Sequence, residues 1–597
     1  MEINVRGFSV PEIDNPFEEL PFPKIRNFQK GFIETVDNFD ILFLSAPTGS
    51  GKTLCFEYLC KNEPPILLIY PTTALMADQE RQLSERGLSV FRLDSNTLGE
   101  ERGYARSRKL MAFFQRHDII ITNPDIISAV LHDIYVNPEQ DLIRIFNYFH
   151  FIIYDESHVY KELELSDILL QILLFLGTSK AKIILSSATP SIEIIDILNN
   201  IKPESRIGIV EEKGSKNGGL VRHNTKVFLT DEKFKEKVED LVESCIAQKL
   251  KTLVICNSVK LALQLHNSLF LNFREYLTED TGYLTRSGIK PDLNKLIIIS
   301  TSKSEIGIDY PLDAVVMDVA QDIQSFIQRF GRVSRKKEGI AFIFVRTLFK
   351  IDTNVEYPEF VGLMRNYFLE RKLSKKNLES LLEFRAYLVI KKYNYHFEQL
   401  SNIFSNIHWK KYYRFFKELD EIELKTELSG IKKPKDLSDL MKFLEDYKIG
   451  LSLLRGQSIT AKIKYQRGED WILTSYDLLH ALNNYVVNIQ DNYVELLEHS
   501  EDSKIHSIIY TGQEYDFYRF AEQLRNDIIE KWKRLEEQLR LVKKNNRNLL
   551  QEILRTDLYR VIIPEEVILR DGRRIEVRKY LNVLLLKNLD ATPSTII

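Results

Sequence analysis

The segment Ala46-Pro-Thr-Gly-Ser-Gly-Lys-Thr53 constrains this chain most, because it follows the apolar run Ile41-Leu-Phe-Leu44 and precedes a helical stretch. A glycine-containing loop between a buried strand and a helix turns several backbone N–H groups toward one point, where the helix N-terminus favours an anion. Residues Ala46, Pro47, Thr48, Gly49, Ser50, Gly51, Lys52 and Thr53 are therefore expected to cradle a nucleoside triphosphate. Lys52 reaches for the β- and γ-phosphates and Thr53 for Mg²⁺. An ordinary glycine turn has no use for the Lys-Thr pair.

That loop sits in a regular alternation. Ile66–Tyr70, Ile119–Thr122, Phe151–Tyr154 and Ile183–Ser186 are short runs too apolar for a half-solvated strand, and amphipathic stretches separate them. This is the pattern of a parallel sheet covered by helices. A Gly/Lys/Asn-rich stretch, Glu211–Gly219, interrupts it, and a second set follows: Thr252–Cys256, Leu296–Ser300, Ala314–Met317 and Ile340–Val345. The organisation expected is an N-terminal α/β lobe over 1–207, a linker at 208–223, a second lobe over 224–350 and a mainly α-helical region over 351–597. In that last region Leu524, Ile528, Trp532, Leu535, Leu539, Leu549 and Ile553 form a helical stripe. Lys531, Lys533, Arg534, Arg540, Lys543, Lys544 and Arg547 fall on the other positions, as a solvated face or as a nucleic-acid contact. Asp571-Gly572 reads as a two-residue hairpin turn.

A length of 597 residues gives room for several domains, and a net charge of −3 restricts any nucleic-acid groove to a local basic lining. The basic segment Arg102–Lys109 is either such a lining or a solvated helix face. Four cysteines, Cys55, Cys60, Cys245 and Cys256, are too few and too poorly spaced for a zinc site or disulfide framework, and they read as buried thiols in a reducing, cytoplasmic setting. No leader and no membrane-spanning run is expected.

Two further clusters carry chemistry. Strand Phe151–Tyr154 runs into Asp155-Glu156-Ser157-His158, and two adjacent carboxylates at a strand mouth need a cation to offset them. Asp155 is assigned to Mg²⁺ and Glu156 to the attacking water. Gln328-Arg-Phe-Gly-Arg-Val-Ser-Arg335 packs three arginines around a glycine in the second lobe. Arg332 and Arg335 are the expected arginine fingers, and Gln328 joins them as a catalytic residue.

Together these strings resemble the superfamily-two helicases over roughly residues 20 to 345, in the expected order, which implies two RecA-like lobes. The resemblance places Gln29 at the adenine, and Gly307 and Asp309 of Glu305-Ile-Gly-Ile-Asp309 at the nucleotide. It implies strand contact by Thr72 and Thr73 of Pro71-Thr-Thr-Ala-Leu75, by Thr122 and Asn123 of Thr122-Asn-Pro-Asp125, and by Thr301. His158 and the segment Ser187-Ala-Thr189 would couple hydrolysis to strand movement. Asp-Glu-Ser-His in place of Asp-Glu-Ala-Asp points to DNA. The second-lobe strings look most like the CRISPR-associated helicase of type I interference, and Leu454–Ser458 to Tyr476–Leu479 is similar to a segment of its subtype I-D branch. That family often carries an N-terminal HD nuclease, but only about 44 residues precede the loop here, and neither His117-Asp118 nor His132-Asp133 has ligand spacing.

The resemblance thus implies a helicase-only, monomeric motor on single-stranded DNA, moving 3′ to 5′, that uses ATP and Mg²⁺ and works with a CRISPR surveillance complex and a separate nuclease-bearing subunit. A DNA-repair or RNA helicase is the alternative within the superfamily. A nucleotide-binding docking protein without turnover is the alternative outside it, and the intact set Lys52, Thr53, Asp155, Glu156, Arg332 and Arg335 argues against it.

Overall fold

The computed structural model describes residues 1–47, 49–94, 97, 103–131, 146–187, 192–212, 218–305, 312–368, 373–393, 396–428, 433–490, 493–499, 504–539 and 544–580. Thr48, His132, Asp133, Thr189, Gly307 and Asp309 lie outside the described residues. Among the described residues no helix is long and apolar enough to cross a membrane.

The first lobe is built on a seven-stranded sheet in the order Ile207–Glu211, Ile41–Ser45, Lys182–Ser187, Phe151–Tyr154, Ile66–Ile69, Ile119–Thr122 and Phe91–Arg92. Every pairing in it is parallel. The central strands are buried on both faces, which is why they read as unbroken apolar runs. The phosphate loop leaves the carboxyl end of the strand that lies at a crossover of the sheet order, where α/β sheets form their ligand crevices.

The second lobe carries an eight-stranded sheet ordered Leu277–Asp280, Ile297–Ser300, Thr252–Ile255, Ala314–Met317, Gly339–Phe344, Thr225–Thr230, Glu2–Arg6 and Asn354–Glu356. This corrects the expected boundaries. The N-terminal strand Glu2–Arg6 belongs to the second lobe, antiparallel to Thr225–Thr230 and parallel to Asn354–Glu356. The strand Ile207–Glu211, of which all but Ile207 was expected in the linker, extends the first sheet beside Ile41–Ser45. Neither pairing partner is a sequence neighbour, so local pattern carries no trace of it.

The region after 356 has the expected helices, among them Lys375–Lys392, Lys410–Leu428, Lys435–Leu451 and Phe520–Leu539. It also has two four-stranded sheets, one built on the hairpin Thr460–Arg467/Asp470–Asp477 and the other ending in Glu566–Leu569/Arg574–Glu576, the hairpin that Asp571-Gly572 signalled. The first hairpin went unread in the sequence, although it alternates: Ala461, Ile463 and Tyr465 are buried while Lys462 and Gln466 are exposed. Leu524, Ile528, Trp532, Leu535, Leu549 and Ile553 are buried, and the basic positions between them are partly consumed by acids. Lys531 pairs with Asp439 at 2.9 Å, Arg534 with Asp436 at 2.7 Å, and Arg547 with Glu536. Lys533 stays exposed on this face.

The C-terminal region and the first lobe share one hydrophobic core, in which the helix Glu162–Thr178 packs against Lys375–Lys392. Fully buried Arg385 stitches the two together. It donates to Ser166 Oγ at 2.9 Å, Asp167 Oδ1 at 2.8 Å and the carbonyls of Leu163, Leu451, Leu453 and Leu454. The Thr460–Asp477 hairpin tip reaches the second lobe, with Arg467 on Glu279 at 3.1 Å and Asn267 accepting from Gly468 N at 3.1 Å.

Candidate active site between the two lobes

Gly51 caps the helix Lys52–Asn62 with φ +80°, a left-handed conformation that an L side chain resists. A Cβ there would also stand 3.0 Å from Gln29 Nε2 and 3.1 Å from Arg26 Nη1. Those two residues hold the loop. Gln29 Nε2 donates to the Gly51 carbonyl at 2.8 Å, Arg26 Nη1 donates to the Gly49 carbonyl at 3.2 Å, and Gln29 Oε1 accepts from Arg26 N at 2.7 Å. The structure therefore gives Gln29 a loop-positioning contact besides the adenine role expected of it, and adds Arg26, which sequence reading missed. Lys52 is buried, its ammonium donating to the Ala46 carbonyl at 2.9 Å across the loop. Thr53 is half-buried one residue further along.

Asp155 and Glu156 face this loop from the next strand but one. Burial, and then the neighbouring Glu156 carboxylate, push Asp155 up, while Lys52 pulls it down. Among the described residues Asp155 Oδ1 and Ser50 Oγ find no hydrogen-bond partner. Orphaned buried oxygens beside a phosphate loop fit a metal–nucleotide pair, with Thr53 and Asp155 as the residues that would hold Mg²⁺. Glu156 sits at φ 52°, uncommon for a residue with a Cβ and a conformation that redirects its carboxylate from the strand line. Burial works to raise its pKa, but Lys52, and Arg332 and Arg335 of the second lobe, hold it below the ordinary glutamate value. Glu156 is thus a carboxylate in a cationic field supplied by both lobes.

His158 joins the lobes. Its Nδ1 lies 3.4 Å from Glu156 Oε2 and 3.3 Å from Ser187 Oγ, while its Nε2 meets Gln328 Nε2 of the second lobe. Burial holds the imidazole below its usual pKa, so the neutral ring can accept from Gln328. The Ser187 carbonyl in turn accepts from Ala46 N at 3.2 Å, so one connected set runs from the phosphate loop through Ser187 and His158 to Gln328. Replacing Gln328 by Ala is expected to lower the ratio of nucleic-acid-stimulated to basal ATP turnover about tenfold, a usual size for coupling between sites. Steady-state ATPase with and without nucleic acid measures it, and an unchanged ratio would discard the coupling role.

The helix Ile323–Phe330 presents Gln328 because Phe326 and Phe330, stacked at 5.6 Å, anchor its other face. Arg329 serves that lobe internally, donating to Asn257 Oδ1 at 2.9 Å and the Asp318 carbonyl at 3.1 Å. Arg332 is buried, and Arg335 is steadied by Nε on the Gly331 carbonyl at 2.7 Å.

The expected strand contacts divide. Thr72 and Thr73 stand half-buried at the start of the helix Thr73–Glu85, Thr72 Oγ1 capping Leu75 N at 3.2 Å. Thr122 is a correction: its hydroxyl is fully buried and donates to the Leu93 carbonyl at 2.9 Å, because the last residue of an interior strand points into the sheet. Asn123 is likewise buried, its Oδ1 capping Ile126 N at 3.0 Å, and Thr301 is buried too. The Thr122 and Asn123 side chains are thus spent on the protein's own backbone. His117 stacks on Phe91 at 4.1 Å, and among the described residues no cluster of three His, Cys, Asp or Glu could hold a metal ion.

Two α/β lobes that set carboxylates on one side and arginines on the other of a phosphate-type loop have the layout of a two-lobed nucleotide-driven core. Residues 26–197 match the DEAD/DEAH box helicase family, and residues 246–338 match the C-terminal part of the CRISPR-associated nuclease/helicase Cas3. The first lobe is thus similar to the DEAD/DEAH box helicases and the second to the C-terminal part of Cas3, over less than half of the chain in all. No curated protein matches it in sequence. In fold it is similar to the crystal structure of the DUF1998 helicase MrfA bound to DNA, with a TM-score of 0.56 at 15% identity over 85% of this chain and 78% of that one. The same helicase bound to DNA and AMPPNP gives a TM-score of 0.55 at 16% identity over 85% and 77%. That likeness extends past the two lobes into the C-terminal region.

Proposed function

We propose that the protein is an ATP-driven translocase on single-stranded DNA that moves 3′ to 5′ and serves type I CRISPR interference beside a separate nuclease-bearing subunit. The observation that carries the motor is the position of Glu156 in the combined field of Lys52 from one lobe and Arg332 and Arg335 from the other. Hydrolysis then requires closed lobes, and nucleotide state controls their separation. Lys52 binds the terminal phosphates, Glu156 orients the water and takes its proton, and the arginines stabilise charge on the transferring group. Mg²⁺, held at Thr53 and Asp155 when bound, supplies neutralising charge between the phosphates. The DNA-bound relative in fold and the Cas3-like segment support DNA as the track and interference as the setting.

A helicase acting outside interference, in DNA repair or on RNA, is the second reading, favoured by the likeness to MrfA that continues through the C-terminal region. Steady-state ATPase without nucleic acid, with single-stranded DNA and with RNA tests both. Single-stranded DNA is expected to raise turnover well above RNA, and Lys52→Ala to lose it in every arm. Equal rates in all three arms would end the motor reading, whereas preference for RNA would end only the DNA assignment.

A further inference from the structure

Arg455 leaves the C-terminal region and enters the first lobe at the carboxyl ends of two adjacent strands. Its Nε donates to both carboxylate oxygens of Asp125, at 3.2 and 3.3 Å, and its Nη2 donates to the Pro71 carbonyl at 3.1 Å. Pro71 belongs to the turn between strand Ile66–Ile69 and the helix Thr73–Glu85, and Asp125 lies in the first turn of the helix Pro124–Leu131, which follows strand Ile119–Thr122. The two strands are paired, Ile69 opposite Thr122. One guanidinium thus fixes two neighbouring helix starts, whose backbone N–H groups point out of the sheet on the same side.

Arg455 is itself held. Its carbonyl accepts from Arg560 Nη2 at 3.0 Å, and Arg560 pairs with Glu164 at 2.6 Å, in the first turn of the helix that follows the Asp155–His158 segment. The next residue, Gly456, has φ +77°, and a Cβ there would stand 2.0 Å from the Arg560 carbonyl. The backbone at 455–456 is therefore wedged so closely that only glycine fits. Both Arg455 and Asp125 are largely shielded, with side-chain exposures of 17% and 14%. A pair this dry, with the guanidinium held at a second point by the Pro71 carbonyl, is stiffer than a surface ion pair.

We propose that Arg455 is a positioning residue for strand binding: it sets the spacing of the Pro71–Thr73 turn and the Pro124 helix start so that their N–H groups meet successive phosphates. The C-terminal region would thereby be part of the strand-binding device. This rests on the reading of those two turns as strand contacts.

The test compares full-length wild type, Arg455→Met, Arg455→Lys and Asp125→Asn. Fluorescence anisotropy with a labelled oligodeoxythymidine gives the Kd, and ATPase without nucleic acid gives the basal rate. Arg455→Met is expected to weaken Kd about tenfold, with basal kcat and KM for ATP close to wild type and a modest fall in Tm because Asp125 loses its cation in a shielded site. Arg455→Lys, which keeps the charge but not the fork, should recover only part of the loss. Asp125→Asn should weaken Kd without adding to Arg455→Met in the double variant, and it carries the test alone if Arg455→Met does not fold. An unchanged Kd overturns the proposal, as does a loss of basal rate and Tm in proportion, which a merely structural residue would give. Wild type that binds the oligonucleotide without faster hydrolysis fails the motor reading alone, while wild type that does not bind it fails both.

Discussion

Arg332→Ala is expected to lower kcat for ATP hydrolysis about 10³–10⁵-fold, with KM for ATP changed little. The loss corresponds to about 4–7 kcal/mol of transition-state stabilisation. Arg332 is buried, and its charge reaches Glu156 across the lobe boundary. A cation in that position acts most strongly on charge that develops only as the terminal phosphoryl transfers. Arg332→Lys should restore little, since an ammonium cannot make the planar two-point contact of a guanidinium. Single-turnover hydrolysis at saturating single-stranded DNA measures the step directly. A deficit below about tenfold would remove Arg332 from the finger role and leave Arg335 as the candidate.

The second large effect concerns stability. Arg385→Met is expected to destabilise the unit formed by the first lobe and the C-terminal region by about 3–5 kcal/mol, because it leaves the Asp167 carboxylate buried without its guanidinium. Arg385 and Asp167 both have side chains with no solvent exposure, 2.8 Å apart. The same change strips hydrogen-bond donors from four buried carbonyls, those of Leu163, Leu451, Leu453 and Leu454. Replacing the pair together, Arg385→Met with Asp167→Leu, should recover much of the loss, since an apolar pair of similar volume has no charge to desolvate. Denaturant unfolding followed by far-UV circular dichroism gives the midpoints. A single variant as stable as wild type would show that the two bodies are held by the hydrophobic core alone.

The parts legible in the sequence are those whose physics is local. The phosphate loop could be read because Gly51, Lys52 and Thr53 act within one strand–turn–helix unit, and the nine strands read from apolar runs are all present because burial on both faces leaves no alternation to confuse. Asp155 and Glu156 stood out for a related reason: adjacent carboxylates after an apolar strand need a cation nearby. At Thr122 and Asn123 the fold removes only the side-chain part of the expected strand contact, for a reason equally local. A motif string says that a loop matters, yet it does not say whether a hydroxyl points outward or, as in Thr122, donates to the carbonyl of Leu93 just past the neighbouring strand.

The sequence by itself determined that a glycine-containing loop of phosphate-binding type lies between a strand and a helix at residues 46 to 53, that two α/β lobes follow one another, and that arginines lie at 332 and 335. Only the tertiary structure decided who completes what. The N-terminal strand Glu2–Arg6 finishes the second sheet, Arg26 and Gln29 steady the phosphate loop, and Gln328 meets His158 from 170 residues away. Arg455 reaches Asp125 across 330 residues. Such contacts follow from how buried faces of separate lobes come together, and in a single sequence the residues that make them carry no periodicity or spacing that marks one as the partner of the other.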